Sequence, residues 1–157
     1  NRMMPGTPRC GIVRPLRLPQ ALVRDISALL AGRVVRLIAT GEYMYPAQCL
    51  GEQLEAQGCR VYLQSTTRSP LMLGGAIASV RQVSDPYGEG VANYIYNLPD
   101  RVVSGRDVDT SANELRLIVH ETGDNPQIRQ LCTELTACAV DIGSGQLLCG
   151  PRGQAVA

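Results

Sequence analysis

Four hydroxyl side chains flank one guanidinium in Ser65-Thr66-Thr67-Arg68-Ser69-Pro70, with Gly74-Gly75 shortly behind. Arg68 offers a planar, permanently charged fork suited to phosphate or carboxylate. Ser65, Thr66, Thr67 and Ser69 add neutral donors, and Gly74 and Gly75 permit close approach of backbone to a ligand. That is the chemistry of an anion cradle. The competing reading is an ordinary Ser/Thr-rich turn carrying a solvated arginine. Two further polar groups follow apolar runs: Thr40-Gly41-Glu42-Tyr43 and His120-Glu121-Thr122. Glu42 or Glu121 could hold ribose hydroxyls or a hydrated Mg²⁺, or serve as a general base. His120 could carry a proton, although a lone histidine at a strand end is as readily a hydrogen-bonded structural residue. Tyr43, Tyr45 and Tyr87 could stack on a base. On this reading the candidate catalytic residues are Glu42, His120 and Glu121. The candidate ligand-binding residues are Ser65, Thr66, Thr67, Arg68, Ser69, Gly74, Gly75 and Tyr43. No metal ligand set is assigned, and Mg²⁺ is the one cofactor the pattern would accommodate.

The elements that must position these groups read as an alternation of strand and helix. Leu22, Val23, Ile26, Leu29 and Leu30 recur at helical spacing and Val34–Ala39 is a β-branched run. A helix continues from Pro46 to Gly58, and Val61–Gln64 alternates as a strand. Strand, turn, helix, strand is a βαβ unit, whose right-handed crossover puts both polar loops at one sheet edge. Leu115–Val119 is another strand, Pro126 opens a helix, and Ala137–Ile142 is the last strand. Between them, residues 71–113 hold two short candidate strands, Ala76–Val83 and Asn93–Leu98, around a glycine-rich turn suited to a mobile loop over a site. Residues 101–113 read as a polar loop. The expected fold is α/β: a three-layer Rossmann-like domain with a mainly parallel sheet, strands 34–39, 61–65, 115–119 and 138–142 being parallel neighbours. In such a sheet the ligand crevice lies outside the carboxyl ends of the strands.

Composition narrows the classes. A chain of 157 residues, 45% apolar, builds one domain with its own core. A net charge of +1 gives no electrostatic case for nucleic acid or an anionic membrane. All 15 basic residues are arginines, so Schiff-base chemistry and a lysine phosphate loop are excluded within this chain. A single histidine excludes multi-histidine zinc sites. Cys10, Cys49, Cys59, Cys132, Cys138 and Cys149 show no metal spacing and are expected to be free thiols of a cytoplasmic protein, with Cys49 and Cys132 largely buried. Pro5, Pro8, Pro15 and Pro19 mark residues 1–19 as a linker or extended arm, residues 20–145 as the domain, and 146–157 as a tail.

The motif Thr67-Arg68-Ser69-Pro70 resembles the signature of the TRSP domain family. Thr40–Pro46, Gln64-Ser65-Thr66, Gly74-Gly75-Ala76-Ile77, Tyr96-Asn97 and His120-Glu121-Thr122 are similar to that family's pattern in the same order, over roughly residues 33–142. The resemblance implies a partner domain lying C-terminal to an orotate-type phosphoribosyltransferase domain of the same polypeptide, in bacterial operons linked to tellurite resistance and stress response. It also implies a phosphorylated ribose or nucleotide-like ligand and a role in nucleotide metabolism. The domain would then assist or extend the neighbour's chemistry, as a hydrolase or transferase. The alternative is a non-catalytic nucleotide-sensing or protein-interaction domain. A nucleic-acid or membrane partner is not expected.

Overall fold

The computed structural model describes residues 16–30, 34–99 and 114–148. Their elements run α1 (Gln20–Leu30), β1 (Val34–Ala39), α2 (Met44–Ala56), β2 (Arg60–Ser65), β3 (Val80–Val83), β4 (Asn93–Tyr96), β5 (Glu114–His120), α3 (Pro126–Leu135), β6 (Cys138–Asp141) and β7 (Gln146–Leu148). The expected loop at 101–113 lies outside the described residues.

Five strands form one sheet in the order β2-β1-β5-β6-β7. The four strands expected from the apolar runs are parallel neighbours, and β7 adds an antiparallel edge. β7 falls within the segment expected as a tail and closes a hairpin on β6. The chain leaves β1 towards β2 on one side and later returns to β5 on the other. β1 and β5 therefore flank a switch point, where crossovers diverge and a crevice opens at the carboxyl edge.

Alternation along the central strands separates two apolar clusters. Val35, Leu37 and Ala39 of β1 pack with Leu22, Val23, Ile26 and Leu30 of α1 and Ala47, Leu50 and Leu54 of α2. Ile38 and Ile118 pack in the other cluster with Ile128, Leu131 and Leu135 of α3 and Val83 and Ile95 of the β3–β4 hairpin. α3 begins cleanly because Asn125 caps it, accepting the Ile128 N–H at 2.8 Å, and a proline fills the first turn. Leu18, in the stretch expected as an arm, is buried in the first cluster, and the Leu16 N–H donates to Tyr45 Oη.

Cys49, Cys59, Cys132 and Cys138 are free thiols. Cys132 is buried as expected, and burial pushes its thiol up to about 12. Cys49 is only half-buried, because its place on α2 lies beside the core stripe of Ala47, Leu50 and Leu54. Cys10 and Cys149 lie outside the described residues. Among the described residues no helix is long and apolar enough to cross a membrane.

Candidate functional site

Register brings the three polar strand ends to one level. Ala39 pairs with Ser65 on one side and Val119 on the other. One step further, the Thr66 N–H donates to Ala39 O at 2.9 Å and the Thr40 N–H to Val119 O at 3.1 Å. His120 stands opposite Asp141 of β6. Thr40, Thr66 and His120 are wholly buried, and Thr66 Oγ1 accepts the Gly41 N–H at 3.0 Å. The β1 loop and the β2 loop are thereby stitched together. Gly41, at φ 55°, makes the turn that leads into α2.

His120 is held by a relay. The Asn125 carboxamide oxygen is committed to the α3 cap, so its NH₂ donates to Thr122 Oγ1 at 3.0 Å. Thr122 Oγ1 lies 3.2 Å from His120 Nδ1, and the Thr122 N–H points at the same nitrogen at 3.4 Å. Donors on Nδ1 make it the acceptor of a neutral ring, which puts the proton on Nε2. Burial pushes the imidazole below its usual pKa, against the pull of Asp141 and Asp124. Nε2 has no hydrogen-bond partner among the described residues.

Tyr43 closes the same turn, its N–H donating to Thr40 O at 3.0 Å. Its phenol is buried and Oη is likewise without a partner among the described residues. Burial, and then the negative charge of Glu121 and Asp141, pushes the phenol well above its ordinary value, so it stays protonated. Asp141 Oδ1 accepts the Gly143 and Ser144 N–H groups, fixing the β6–β7 turn. Glu42 and Glu121 are exposed at the same edge.

Arg68 reaches Glu89 at 2.7 Å and Asp85 at 3.5 Å, and its guanidinium lies over the Tyr87 ring, 5.3 Å from the centroid. Tyr87 Oη in turn donates to Thr40 O at 3.1 Å. Residues 84–91 thus form a strap pinned at several points. Ser84 is held by Glu134 of α3, and a Cβ at Gly88 would meet the Gln127 amide at 3.4 Å. Asp85 gathers the strap from within, accepting the N–H groups of Tyr87, Glu89 and Val91 and the Asn93 NH₂. Burial alone would raise the Asp85 carboxyl, but those backbone donors and Arg68 hold it below the ordinary value.

Ser65 is half-buried at the end of β2, and Thr67 is anchored by a two-way backbone bridge to Tyr94. Thr67 Oγ1 accepts the Ser69 N–H, and Ser69 O accepts Tyr96 Oη–H. Gly74 and Gly75 stand apart from this cluster. They close an exposed turn in which Gly74 and Ile77 exchange backbone hydrogen bonds, and their φ values of 144° and 55° are the turn's requirement. Among the described residues no group of three His, Cys, Asp or Glu could hold a metal ion.

The family model described as "TRSP domain C terminus to PRTase_2" matches residues 15–135. The chain belongs to the TRSP domain family. By that description its place is C-terminal to a PRTase_2 domain. No curated protein and no solved structure matches the chain.

Within the TRSP domain, sequence reasoning gave no role to Asp85, Asn93 or Asn125, and it named Thr122 only as a member of the His120-Glu121-Thr122 group. Asn125-Pro126 carries a readable cap signature. Nothing in the sequence shows that the spare half of that amide reaches back to orient a histidine.

Proposed function

We propose that this TRSP domain binds a phosphorylated ribose or nucleotide-like metabolite at the carboxyl edge of β1, β2 and β5, and thereby assists or extends the chemistry of an attached phosphoribosyltransferase domain in the cytoplasm. The single observation carrying the reading is the alignment of Thr40, Thr66 and His120 at a switch point where the buried Nε2 of His120 has no partner among the described residues. Sheet-edge crevices of three-layer, Rossmann-like domains take such ligands. The phosphoryl group is assigned to Arg68 and the hydroxyls of Ser65, Thr66, Thr67 and Ser69. It enters by displacing Glu89 and Asp85 from the guanidinium, so the strap loosens as the anion arrives.

The non-catalytic form of this reading has a specific observation in its favour. A neutral histidine whose Nδ1 is already occupied is built to donate a hydrogen bond, not to shuttle a proton. Glu42 and Glu121 remain the candidate bases if the domain turns over its ligand, with a hydrated Mg²⁺ at either one.

Calorimetric titration with ribose 5-phosphate tests the reading. Arg68→Ala is expected to weaken binding about tenfold or more, and Arg68→Lys to recover part of it, because an ammonium keeps charge without the fork. Glu89→Gln, which frees the guanidinium, is expected to tighten binding. Equal affinity across wild type and all three variants contradicts the assignment.

A further inference from the structure

Leu71-Met72-Leu73 puts three consecutive large apolar side chains into solvent, at 51%, 91% and 57% exposure. Single exposed hydrophobics are ordinary, but a run of three on a surface is not, unless something covers it. The loop does not tuck them away, because its backbone is clamped at both shoulders by Tyr96, at the end of β4, and Asn97 just beyond. Tyr96 Oη accepts the Leu71 N–H at 2.6 Å and donates to Ser69 O at 2.9 Å. Asn97 Oδ1 accepts the Ala78 and Ser79 N–H groups at 2.8 and 3.2 Å, and its NH₂ donates to Ala76 O at 2.7 Å. Gly74 and Ile77 close the turn between the shoulders. Asn97 makes its part of the clamp from a left-handed φ of 52°, a conformation that side chains disfavour. The loop is thus ordered in a shape that keeps its apolar side chains outward.

Val80 adds to the feature. It is exposed and stands opposite Tyr96 on the outer face of the β3–β4 hairpin, whose inner face carries Val83 and Ile95 into the core. The loop follows the carboxyl end of β2, and the chain enters the described part of the fold at the same sheet edge. There the Leu16 N–H donates to Tyr45 Oη, in the first turn of the helix that follows the carboxyl end of the parallel β1. A patch centred on three side chains is smaller than the roughly 800 Å² per partner that free-standing complexes bury. It suits a partner on the same polypeptide, whose effective concentration is about millimolar. The family description supplies that partner, since the place of this domain is C-terminal to a PRTase_2 domain. We propose that the loop carrying Leu71, Met72 and Leu73 is the surface on which the PRTase_2 domain of the same polypeptide docks, the three side chains entering an apolar depression on that domain. The contact stands on these residues and not on the phosphate reading of Arg68.

The test uses the two-domain polypeptide with the photo-crosslinker p-benzoylphenylalanine in place of Met72, a side chain exposed enough to be exchanged without touching the core. Equal amounts of isotopically heavy and light protein are mixed and irradiated, and the crosslinked peptides are mapped by mass spectrometry. The expected crosslink joins position 72 to an apolar surface residue of the PRTase_2 domain within one chain, all heavy or all light. Mixed heavy–light crosslinks assign the loop to a second copy and overturn the proposal. A yield no higher than that of the same crosslinker placed at the exposed Glu52 of α2 overturns it too. Leu71→Ser combined with Leu73→Ser is expected to lower the yield about tenfold, through the apolar burial lost on docking. The unfolding midpoint should stay in place, because both leucines are more than half exposed. An unchanged yield in that double variant overturns the docking surface. The ribose 5-phosphate titration reads Arg68 and not this contact, so the two readings fail separately.

Discussion

The same three strands carry buried polar residues at both ends, and the two ends are treated differently. In the amino-terminal half, Arg36 of β1 meets Glu114 of β5 through two hydrogen bonds, at 3.0 and 2.9 Å. Its remaining NH group reaches Gln64 of β2, and its guanidinium lies over Tyr62 at 4.9 Å. Arg116 contacts Glu114 at 3.4 Å and donates to the carbonyls of Leu135 and Pro99, the first being the C-terminal end of α3, where a cation is favoured. Each charged group of this layer is matched. At the carboxyl-terminal edge, Tyr43 in the turn after β1 and His120 at the end of β5 keep polar atoms with no partner among the described residues. A matched buried layer specifies the fold. An unmatched one costs stability, and its retention is what a binding site requires.

The largest expected effect breaks the matched end. Glu114→Ala leaves two buried arginines without their carboxylate and should cost about 3–5 kcal/mol, read by denaturant unfolding. A loss near that of an exposed ion pair would erase the contrast between the two ends.

The next effect has the opposite sign. Tyr43→Phe removes a buried hydroxyl that has no partner among the described residues, so stability should rise by about 1–3 kcal/mol. A destabilised Tyr43→Phe would mean the hydroxyl is satisfied in solution. Asn125→Ala should cost about 1 kcal/mol through the lost helix cap, and should also release the His120 tautomer.

Acid separates the two ends by pH. Burial alone would raise Glu114, but Arg36 and Arg116 hold it below the ordinary 4.5. Its contribution is therefore complete above that pH and is lost as pH falls through the lower folded value. His120 has a depressed pKa, so the unfolded chain binds its proton first, and stability declines as pH drops below 6.5. Unfolding free energy measured across acid pH should show both stages, and His120→Gln should delete only the upper one.

Much of this architecture is written locally. The β-branched runs and the helical stripes gave all four parallel strands, because each period is decided by neighbours within a few residues. The polar strand ends were legible for the same reason. The matched layer was not, since Arg36 and Glu114 are 78 residues apart and only sheet register brings them together. Arg36 reads in sequence as a lone charge in an apolar strand. Arg68 shows the other limit: its charge is evident, but its partners Asp85 and Glu89 lie in a turn whose path depends on the β3–β4 hairpin. His120 was recognisable as a candidate, and Thr122 stood beside it in the same polar group, whereas the fixed orientation of the ring also comes from Asn125, which no motif connects to it.

Backbone amide chemical-shift mapping with uridine 5′-monophosphate tests most directly whether the unmatched end is the ligand site. The expected perturbations cluster at residues 40–43, 65–69, 85–91 and 120–123, and leave Arg36, Tyr62, Gln64, Glu114 and Arg116 in place. Perturbations centred on the Arg36–Glu114 layer, or none at the carboxyl edge, would contradict the account.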